Sequence, residues 1–354
     1  MTSEQDTYSG VQETPERLKF DEAALDAYLR EHVEGYAGPL DVKQFKGGQS
    51  NPTYLLTTPT ARYVLRRKPP GKLLPSAHAV DREYRIMTAL GAAGFPAPKT
   101  FCLCEDDAVI GTAFFVMDFL DGRIFWESGL PEVETAGRRP IIEAIVDTLA
   151  HLHTIDYQAA GLSDYGKPGN YFERQIGRWT KQYRAAETHD IPSMNRLMEW
   201  LPTATPTDDT TTIVHGDYRL DNVIIARDEP KVIGVLDWEL STLGHPLADL
   251  SYYLMAWFFP PNFRGGLLGA DLAALGMPTI DDVVERYCAK AGRDGVPALD
   301  FYMAYNFFRF ASIVQGVYKR SLDGNASSDE AAGLKDQIAP LSDAAWGFAK
   351  KAGA

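Results

Sequence analysis

The sequence predicts an α+β fold of two lobes, a small antiparallel β lobe followed by a larger, mainly helical lobe. Short β-rich runs separated by Gly, Asn and Pro extend over residues 38–118, and amphipathic helical patterns dominate residues 119–354. One polar loop between two apolar runs, "TTIVHGDYRLDNVII", interrupts the helical part. A chain of 354 residues exceeds the usual size of one hydrophobic core, which also favours two lobes.

Residues 1–37 are predicted to form a tail and a leading helix. The first sixteen residues are polar and acidic, which indicates a mobile tail and is unlike a secretory signal or a transit peptide. The segment "FDEAALDAYLREHV" then places apolar residues at helical spacing, and Asp21 opens the helix.

The β lobe, residues 38–118, is predicted to contain strands and one helix. Antiparallel strands are predicted for "LDVKQFKGG", "TYLLTTP" and "ARYVLRRK", which Gly, Asn and Pro separate. The run "AVDREYRIMTALGAAG" predicts a helix that a glycine ends. Strand character then returns in "TFCLCED", "AVIGTA" and "AFFVMDFL".

The larger lobe is predicted to hold helices around one polar hairpin. Long helices are indicated by "RRPIIEAIVDTLAHLHTI" and "YFERQIGRWTKQYRAAE". The hairpin follows, with strands "TIVH", "NVII" and "VIGVLDW" and the turn "ARDEP". Two more helices are indicated by "LADLSYYLMAWFF" and "FYMAYNFFRFASIVQGVYKR".

The composition and charge argue against several classes of binding partner. A formal net charge of -13 argues against nucleic acid and anionic membranes, which select basic surfaces. Cys102, Cys104 and Cys288 make a poor disulfide framework and have no zinc-site spacing. No apolar run approaches the length of a membrane span. We therefore expect a soluble, cytoplasmic protein that acts on a small molecule.

The polar loop has the residues that phosphoryl transfer requires. Asp217 suits the base that orients an attacking hydroxyl, and Asn222 and Asp237 offer the oxygen ligands that Mg²⁺ prefers. Arg219 could stabilise the migrating phosphoryl group, and His215 is expected to support the loop by hydrogen bonding. Asp and Asn are also common turn formers, so each residue alone is weak evidence. Their combination predicts catalysis.

The motifs "HGDYRLDN" and "VLDWE" resemble those of the aminoglycoside phosphotransferase and choline kinase-like family, which has a protein-kinase-like fold. The resemblance covers about Gly38 to Arg320. More narrowly, "FKGGQSNPTYLL", "YVLRRKPPGKLLPSAHAVDREYRIMTAL", "NYFERQIGRW" and "FRFASIVQGVYKR" resemble a kinase-like subfamily that some eukaryotes fuse to acyl-CoA dehydrogenase-like domains. No dehydrogenase portion is expected after the kinase-like part.

The resemblance implies an ATP site in the β lobe. The "GGQSN" turn would cover the nucleotide, with Gly48, Ser50, Asn51 and backbone amides facing phosphate. Arg66 falls where the family has a phosphate-pairing lysine, a departure that keeps the charge but not the geometry. Its partner would be Glu83, which could otherwise be an ordinary helix carboxylate.

The resemblance also implies an adenine pocket and a brace for the loop. Met117 would lie behind the adenine, and the backbones of Asp118 and Leu120 would bind the edge of the base. Asp249 resembles the family aspartate that braces the catalytic loop. Glu239 could lie near the metal or be only a polar residue after a strand.

The reaction class is predicted more firmly than the acceptor. The resemblance implies an ATP- and Mg²⁺-dependent small-molecule kinase, and the fused relatives suggest a hydroxyacyl or acyl-CoA-related acceptor. Arg174, Arg178 and Arg309 could bind such an anion, although structural ion pairs are the expected use of each. A non-catalytic, nucleotide-binding pseudokinase partnering another protein is the alternative, and a protein kinase is disfavoured because no activation segment follows "VLDWE".

Overall fold

The chain forms a six-stranded antiparallel sheet and a helical lobe with two small sheets, which confirms the predicted α+β class. The structure, a computed structural model, describes residues 9–46, 51–71, 78–263, 265–323 and 333–354. The strand order of the six-stranded sheet is β1-β2-β3-β4-β6-β5. Its strands are β1 Val11–Gln12, β2 Asp41–Phe45, β3 Thr53–Thr57, β4 Arg62–Arg67, β5 Thr100–Cys104 and β6 Phe114–Asp118.

Two small sheets lie in the second lobe. One has the order β10-β9-β7 and the other pairs β11 with β8. Their strands are β7 Gly122–Arg123, β8 Thr212–Val214, β9 Val223–Ala226, β10 Val232–Val235 and β11 Thr242–Gly244.

Helices make up most of the rest of the described chain. Within the described ranges, no helix is both long and apolar enough to span a membrane. The helices are α1 Glu22–His32, α2 Val80–Ala92, α3 Asp107–Ile110, α4 Thr135–Thr154, α5 Tyr171–Ala186, α6 Pro192–Trp200, α7 Pro246–Leu254, α8 Ile280–Ala291, α9 Leu299–Leu322 and α10 Lys335–Lys351. The sequence patterns predicted α1, α2, α4, α5, α7 and α9 but singled out neither α6, α8 nor α10.

The end of the predicted N-terminal tail belongs to the sheet. Val11 pairs with Phe45 and Gln12 with Gln44, and the amide of Lys46 donates to the Gly10 carbonyl at 3.1 Å. The prediction of a tail over sixteen residues is therefore wrong from this strand onward. The physical reason is that β2 would otherwise leave an unpaired edge, which β1 covers.

The predicted strand "AVIGTA" is also wrong, because its first residues form the short helix α3. The Asp106 side chain caps this helix by accepting a hydrogen bond from the Ala108 amide at 2.9 Å. Gly111 ends it with φ of 87°, a left-handed conformation that favours glycine. Local capping thus outweighs the β-branched composition of the run.

The predicted motif hairpin is wrong in its pairing. Strand β8 pairs with β11, whereas β9 pairs with β10 and β7. The polar loop after β8 therefore crosses from one small sheet to the other, and only β9 and β10 form the expected hairpin. This crossing places the loop between two rigid supports.

Strand β6 separates two hydrophobic cores. Phe114 and Val116 pack in the core beneath α1, and Phe115 and Met117 pack in the large core that continues into the helical lobe. Neighbouring β4 alternates in the same way, since Val64 lies in the large core and Leu65 in the other. Period-two alternation therefore aims one face of this sheet at the second lobe.

Candidate active site

The loop from His215 to Asn222 is held at its start by one buried carboxylate. Asp249, on α7 and 2% exposed, accepts hydrogen bonds from the His215 amide at 2.6 Å and the Gly216 amide at 2.9 Å. Burial raises the pKa of this carboxyl, but its interactions with His153, His215 and the Gly216 amide together outweigh burial and lower the pKa overall. Asp249 therefore braces the loop, as the sequence predicted.

Two further contacts fix the first turn of the loop. Gly216 has φ of 82°, and a Cβ there would lie 2.6 Å from the carbonyl oxygen of Leu240, so a side chain does not fit. The Arg309 guanidinium donates to the Gly216 carbonyl at 2.5 Å. Arg309 thus has a structural use, as the sequence favoured over anion binding, although its partner is a backbone carbonyl and the sequence expected an ion pair.

His215 is a support and not a reacting group. Its side chain is fully buried, Nε2 lies 2.8 Å from the Leu236 carbonyl, and Nδ1 accepts from the Asp217 amide at 3.2 Å. Both ring nitrogens are therefore engaged inside the protein. The ring ties the loop to the end of β10.

Asp217 lies at the centre of a polar cluster. Its Oδ2 is 3.2 Å from Arg219 Nε and 3.2 Å from Asn222 Nδ2. The Tyr252 hydroxyl also donates a hydrogen bond to this carboxylate. Arg219 extends to Asp221, with 3.3 Å between Nη2 and Oδ2. The predicted base is thus oriented by three neighbouring side chains.

Asp221 shares the positive charge of Arg219 with Asp217. Burial raises the pKa of Asp221 to about 6. The charge of Arg219 lowers this pKa, and the charge of Asp217 adds to the rise. The same two carboxylates raise the pKa of Arg219, although burial acts in the opposite direction. Arg219 is therefore paired within the loop, and two acids compete for one cation.

The two predicted metal ligands lie side by side. The Leu236 amide donates to the Asn222 carbonyl at 2.8 Å, which joins the loop to the residue before Asp237. Asp237 adopts φ of 65°, an uncommon conformation for a residue other than glycine. Asn222 Nδ2 donates hydrogen bonds to Asp217, so Oδ1 is the side-chain atom that remains to bind a metal ion. Both side chains line the cleft between the lobes.

Arg66 connects the two lobes through carboxylates. Its Nε is 2.8 Å from Glu83 Oε2, and its Nη2 is 2.6 Å from Asp237 Oδ1 and 3.7 Å from Glu239 Oε2. Burial raises the pKa of Glu83 to about 7, because Asp237 and Glu239 add to that effect and Arg66 only partly opposes it. Three carboxylates around one guanidinium leave an excess of negative charge.

This excess negative charge fits a divalent cation. Mg²⁺ usually takes only one or two protein carboxylates and keeps water and phosphate oxygens for its other positions. The described ranges contain no cluster of three or more His, Cys, Asp or Glu side chains able to hold a metal. Asn222 and Asp237 together match this requirement.

The other predicted nucleotide-binding residues have different outcomes. Gly48 and Ser50 lie outside the described residues. Asn51 is fully buried, donates to Glu83 Oε1 at 2.9 Å, and has its Oδ1 2.9 Å from His78 Nδ1. Its side chain therefore braces Glu83 and does not face phosphate as the sequence predicted, because the amide is already used on both sides.

A cleft with a volume of about 220 Å³ runs between the lobes above these residues. Its walls include Met117 and Asp118 at the end of β6, and Leu120 just after this strand. The Asp118 amide already donates to the Lys99 carbonyl at 2.8 Å, so only its carbonyl could bind a base. Other lining residues are Phe45, Val64, Arg66, Glu83, Phe115, Ile124, Trp126, Asn222, Leu236 and Asp237.

Comparison with known proteins identifies the family. The model of the phosphotransferase enzyme family matches residues 41–283. The chain belongs to this family. Acyl-CoA dehydrogenase family member 10 of Mus musculus is 46% identical over 333 residues, which is 93% of the phosphotransferase chain but only 31% of the mouse protein. The chain spans less than half the length of the curated relatives it matches.

Solved structures agree with this assignment and confirm the predicted protein-kinase-like, two-lobe fold. A Ralstonia eutropha protein provisionally named an aminoglycoside phosphotransferase is 49% identical, with a TM-score of 0.86 and coverage of 94% of this chain and 99% of that one. The aminoglycoside phosphotransferase APH(4)-Ia, solved with AMP-PNP and hygromycin B, shares the fold at 16% identity, with a TM-score of 0.60 over 94% of this chain and 99% of that one. The phosphotransferase is a kinase by family.

The sequence missed two members of the site of this phosphotransferase. Asp221 lies inside the recognised motif, but the spacing that defines the motif does not specify it. Tyr252 lies 35 positions after Asp217, in the run "LADLSYYLMAWFF", which was predicted only as a helix. Only the fold shows that α7 returns this ring to the catalytic loop.

Proposed function

We propose that this chain is an ATP- and Mg²⁺-dependent kinase that transfers the γ-phosphate of ATP to the hydroxyl of a small molecule. One observation carries the proposal: Asn222 and Asp237 line the interlobe cleft, and Asp217 lies 3.2 Å from the Asn222 side chain. The Asn222 carbonyl also accepts a hydrogen bond from the amide of Leu236, the residue before Asp237. The proposed base and the two proposed metal ligands are therefore joined by hydrogen bonds.

Each residue then has a task in the reaction. Asp217 would accept the proton of the acceptor hydroxyl while that oxygen bonds to the γ-phosphorus and the bond to ADP breaks. Asn222 and Asp237 would hold Mg²⁺, which when bound neutralises charge on the phosphate oxygens. Arg219 would stabilise negative charge on the group in transfer.

The β lobe would bind the rest of the nucleotide. Arg66 would pair with phosphate while Glu83 fixes its position, and the backbone amides of Gly48, Ser50 and Asn51 would bind the phosphates. Met117 would lie behind the adenine. The carbonyl of Asp118 and the amide of Leu120 would bind the edge of the base.

The acceptor proposed is a hydroxyacyl or acyl-CoA-related metabolite. The support is the similarity to the acyl-CoA dehydrogenase family members, of which this chain matches less than half. The net charge of -13 supports neither a nucleic acid nor a membrane partner. We place the protein in the cytoplasm, since its three cysteines are free and buried.

The bond between Arg66 and Asp237 also favours a second candidate, a pseudokinase that binds nucleotide and partners another protein. At 2.6 Å this ion pair occupies one of the two metal ligands. In that case nucleotide would bind without a divalent ion, and Asp217→Asn would leave every function unchanged.

Thermal melting and ADP release distinguish the two candidates. We expect Mg²⁺ with ATP to raise the melting temperature of the intact chain, and Asp237→Ala to abolish that rise. Asp228→Ala, an exposed aspartate in the turn between β9 and β10, is the matched control and should retain it. Stabilisation by ATP that is independent of Mg²⁺, without ADP release on any hydroxylated acceptor, would refute the kinase and favour the pseudokinase.

A further inference from the structure

A second cavity lies on the other side of the catalytic loop. It has a volume of about 70 Å³ and is open to solvent on one side, and its walls are mostly aromatic and aliphatic. The lining residues are Trp126, Ser128, Ile142, Arg219, Leu220, Asp221, Tyr252, Tyr253, Met255, Ala256, Trp257, Phe259, Phe263, Leu267 and Phe310. None of the functions above uses most of these side chains.

This cavity, hereafter the aromatic cavity, adjoins the nucleotide cleft. Trp126 and Asp221 line both spaces, so the two meet at the loop. Two wall residues of the aromatic cavity also contact the predicted base: Tyr252 donates to the Asp217 carboxylate, and Arg219 lies 3.2 Å from it. Arg219 and Tyr252 therefore link the wall of the aromatic cavity to Asp217.

The wall of the aromatic cavity contains one cation and one carboxylate, Arg219 and Asp221, which pair with each other. Arg219 lies between Asp217 and Asp221, at 3.2 and 3.3 Å. Among the described lining residues no other side chain is charged. A polycationic sugar would find few partners there, whereas an apolar chain would bury its surface against rings and methyl groups.

The far wall of the aromatic cavity is built by a folded segment after α7. The Leu267 amide donates to the Ala256 carbonyl at 3.0 Å, and the Leu268 amide donates to the Phe259 carbonyl at 3.0 Å. These bonds hold Phe259, Ala256 and Leu267 around the space. Because the wall is fixed by backbone hydrogen bonds, it can set a limit on the length of a bound chain.

We propose that the aromatic cavity is the acceptor site and takes the apolar carbon chain of a hydroxylated substrate, with the hydroxyl directed at Asp217. This inference rests on the proposed kinase function. In the reaction the hydroxyl proton passes to Asp217, the substrate oxygen bonds to the γ-phosphorus, and the bridging oxygen leaves with ADP. Chain length is then selected by the cavity and not by the nucleotide cleft.

Straight-chain alcohols from butanol to octanol are the probes, because they carry only a chain and a hydroxyl. With the intact chain, ATP and Mg²⁺, we expect ADP release and a melting shift that both depend on chain length. Affinity should rise by about fourfold per methylene until the cavity is full, the factor that corresponds to about 0.8 kcal/mol per buried methylene.

Variants of the wall test the assignment. Ala256→Leu fills the aromatic cavity, so the affinity should stop rising at a shorter alcohol than in the unaltered chain. Phe263→Ala enlarges the cavity, so the affinity should continue to rise to a longer alcohol. Leu268→Ala is the matched control, since Leu268 is 52% exposed and does not line the cavity. Stabilisation by ATP and Mg²⁺ should be unchanged in all three variants.

The outcomes separate the two proposals. Affinity that is independent of chain length, or an unchanged length limit in both wall variants, overturns the acceptor site. Tighter binding of choline or hygromycin B than of octanol overturns it as well, because a cationic acceptor would then be preferred. In each case stabilisation by ATP with Mg²⁺ would persist, whereas its loss in the unaltered chain would refute the kinase itself.

Discussion

Replacing Asp249 by Asn tests whether one buried carboxylate sets the geometry of the catalytic loop. The carboxylate accepts two backbone amides, from His215 at 2.6 Å and from Gly216 at 2.9 Å. Asn offers one oxygen, and its NH₂ group would face the second amide. One buried N–H would therefore lose its acceptor, and the other would bind a neutral group in place of a charged one.

The cost follows from these two changes. A stranded buried amide costs about 1–3 kcal/mol, and exchanging a charged for a neutral acceptor costs about 1 kcal/mol more. The free energy of unfolding should fall by about 2–4 kcal/mol, which a domain of ordinary stability survives. If the free energy of local opening falls by about 2 kcal/mol, amide hydrogen exchange at the loop becomes roughly 30-fold faster.

Chemical denaturation and hydrogen exchange measure the two effects. We expect faster exchange confined to peptides that contain His215 and Gly216, and ADP release reduced by about 100-fold, as a misplaced base would give. Asp281→Asn, an exposed carboxylate in the first turn of α8, is the control and should change neither. A loss below 0.5 kcal/mol, on the order of an ordinary surface substitution, would refute the reasoning.

The pH dependence gives an independent check. The pKa of Asp249 in the folded protein lies below its ordinary value of 3.8. Its contribution to stability is therefore present above that value and is lost as the pH falls below it. Asp249→Asn should remove this part of the acid sensitivity.

Three other predictions concern single residues. Asp217→Asn should lower ADP release by several orders of magnitude while ATP stabilisation with Mg²⁺ remains, and a loss below about tenfold would exclude Asp217 as the base. Arg66→Met should lower the free energy of unfolding by about 3–5 kcal/mol, measured by chemical denaturation, because Glu83 would be buried without a cation. Arg66→Lys should lose much less stability, and equal losses in the two variants would contradict this account. Burial lowers the pKa of His245 to about 4, so the free energy of unfolding should fall as the pH drops from about 6.5 to 4. His245→Asn, which can still cap α7, should make this fall less steep. An unchanged slope would exclude His245 as the source of the pH dependence.

The sequence predicted the parts of the site that depend on residue type and spacing. Asp217, Asn222 and Asp237 were found because base and metal ligands must occur at nearly fixed offsets around a short loop. The structure also places Arg66 against Glu83 at 2.8 Å, as predicted. Their roles in catalysis and nucleotide binding stay predictions.

The sequence could not predict how those parts are joined. The pairing of β8 with β11 depends on residues almost thirty positions apart, so local patterns favoured a hairpin that does not form. The aromatic cavity was hidden for a similar reason, since rings such as Phe259 and Phe310 have the same composition in a core and in a binding site. Asn51 was misjudged because its partners come from another element: Glu83 lies on α2, and His78 lies just before that helix.

The two faces of strand β6 have a consequence for how this kind of enzyme can be modified. Phe114 and Val116 can be exchanged to adjust the packing of α1, while Phe115 and Met117 can be exchanged to reshape the interlobe cleft. A single strand of five residues therefore offers two independent sets of positions. Selection for a new ligand in the cleft and selection for greater stability could then act on alternate residues without opposing each other.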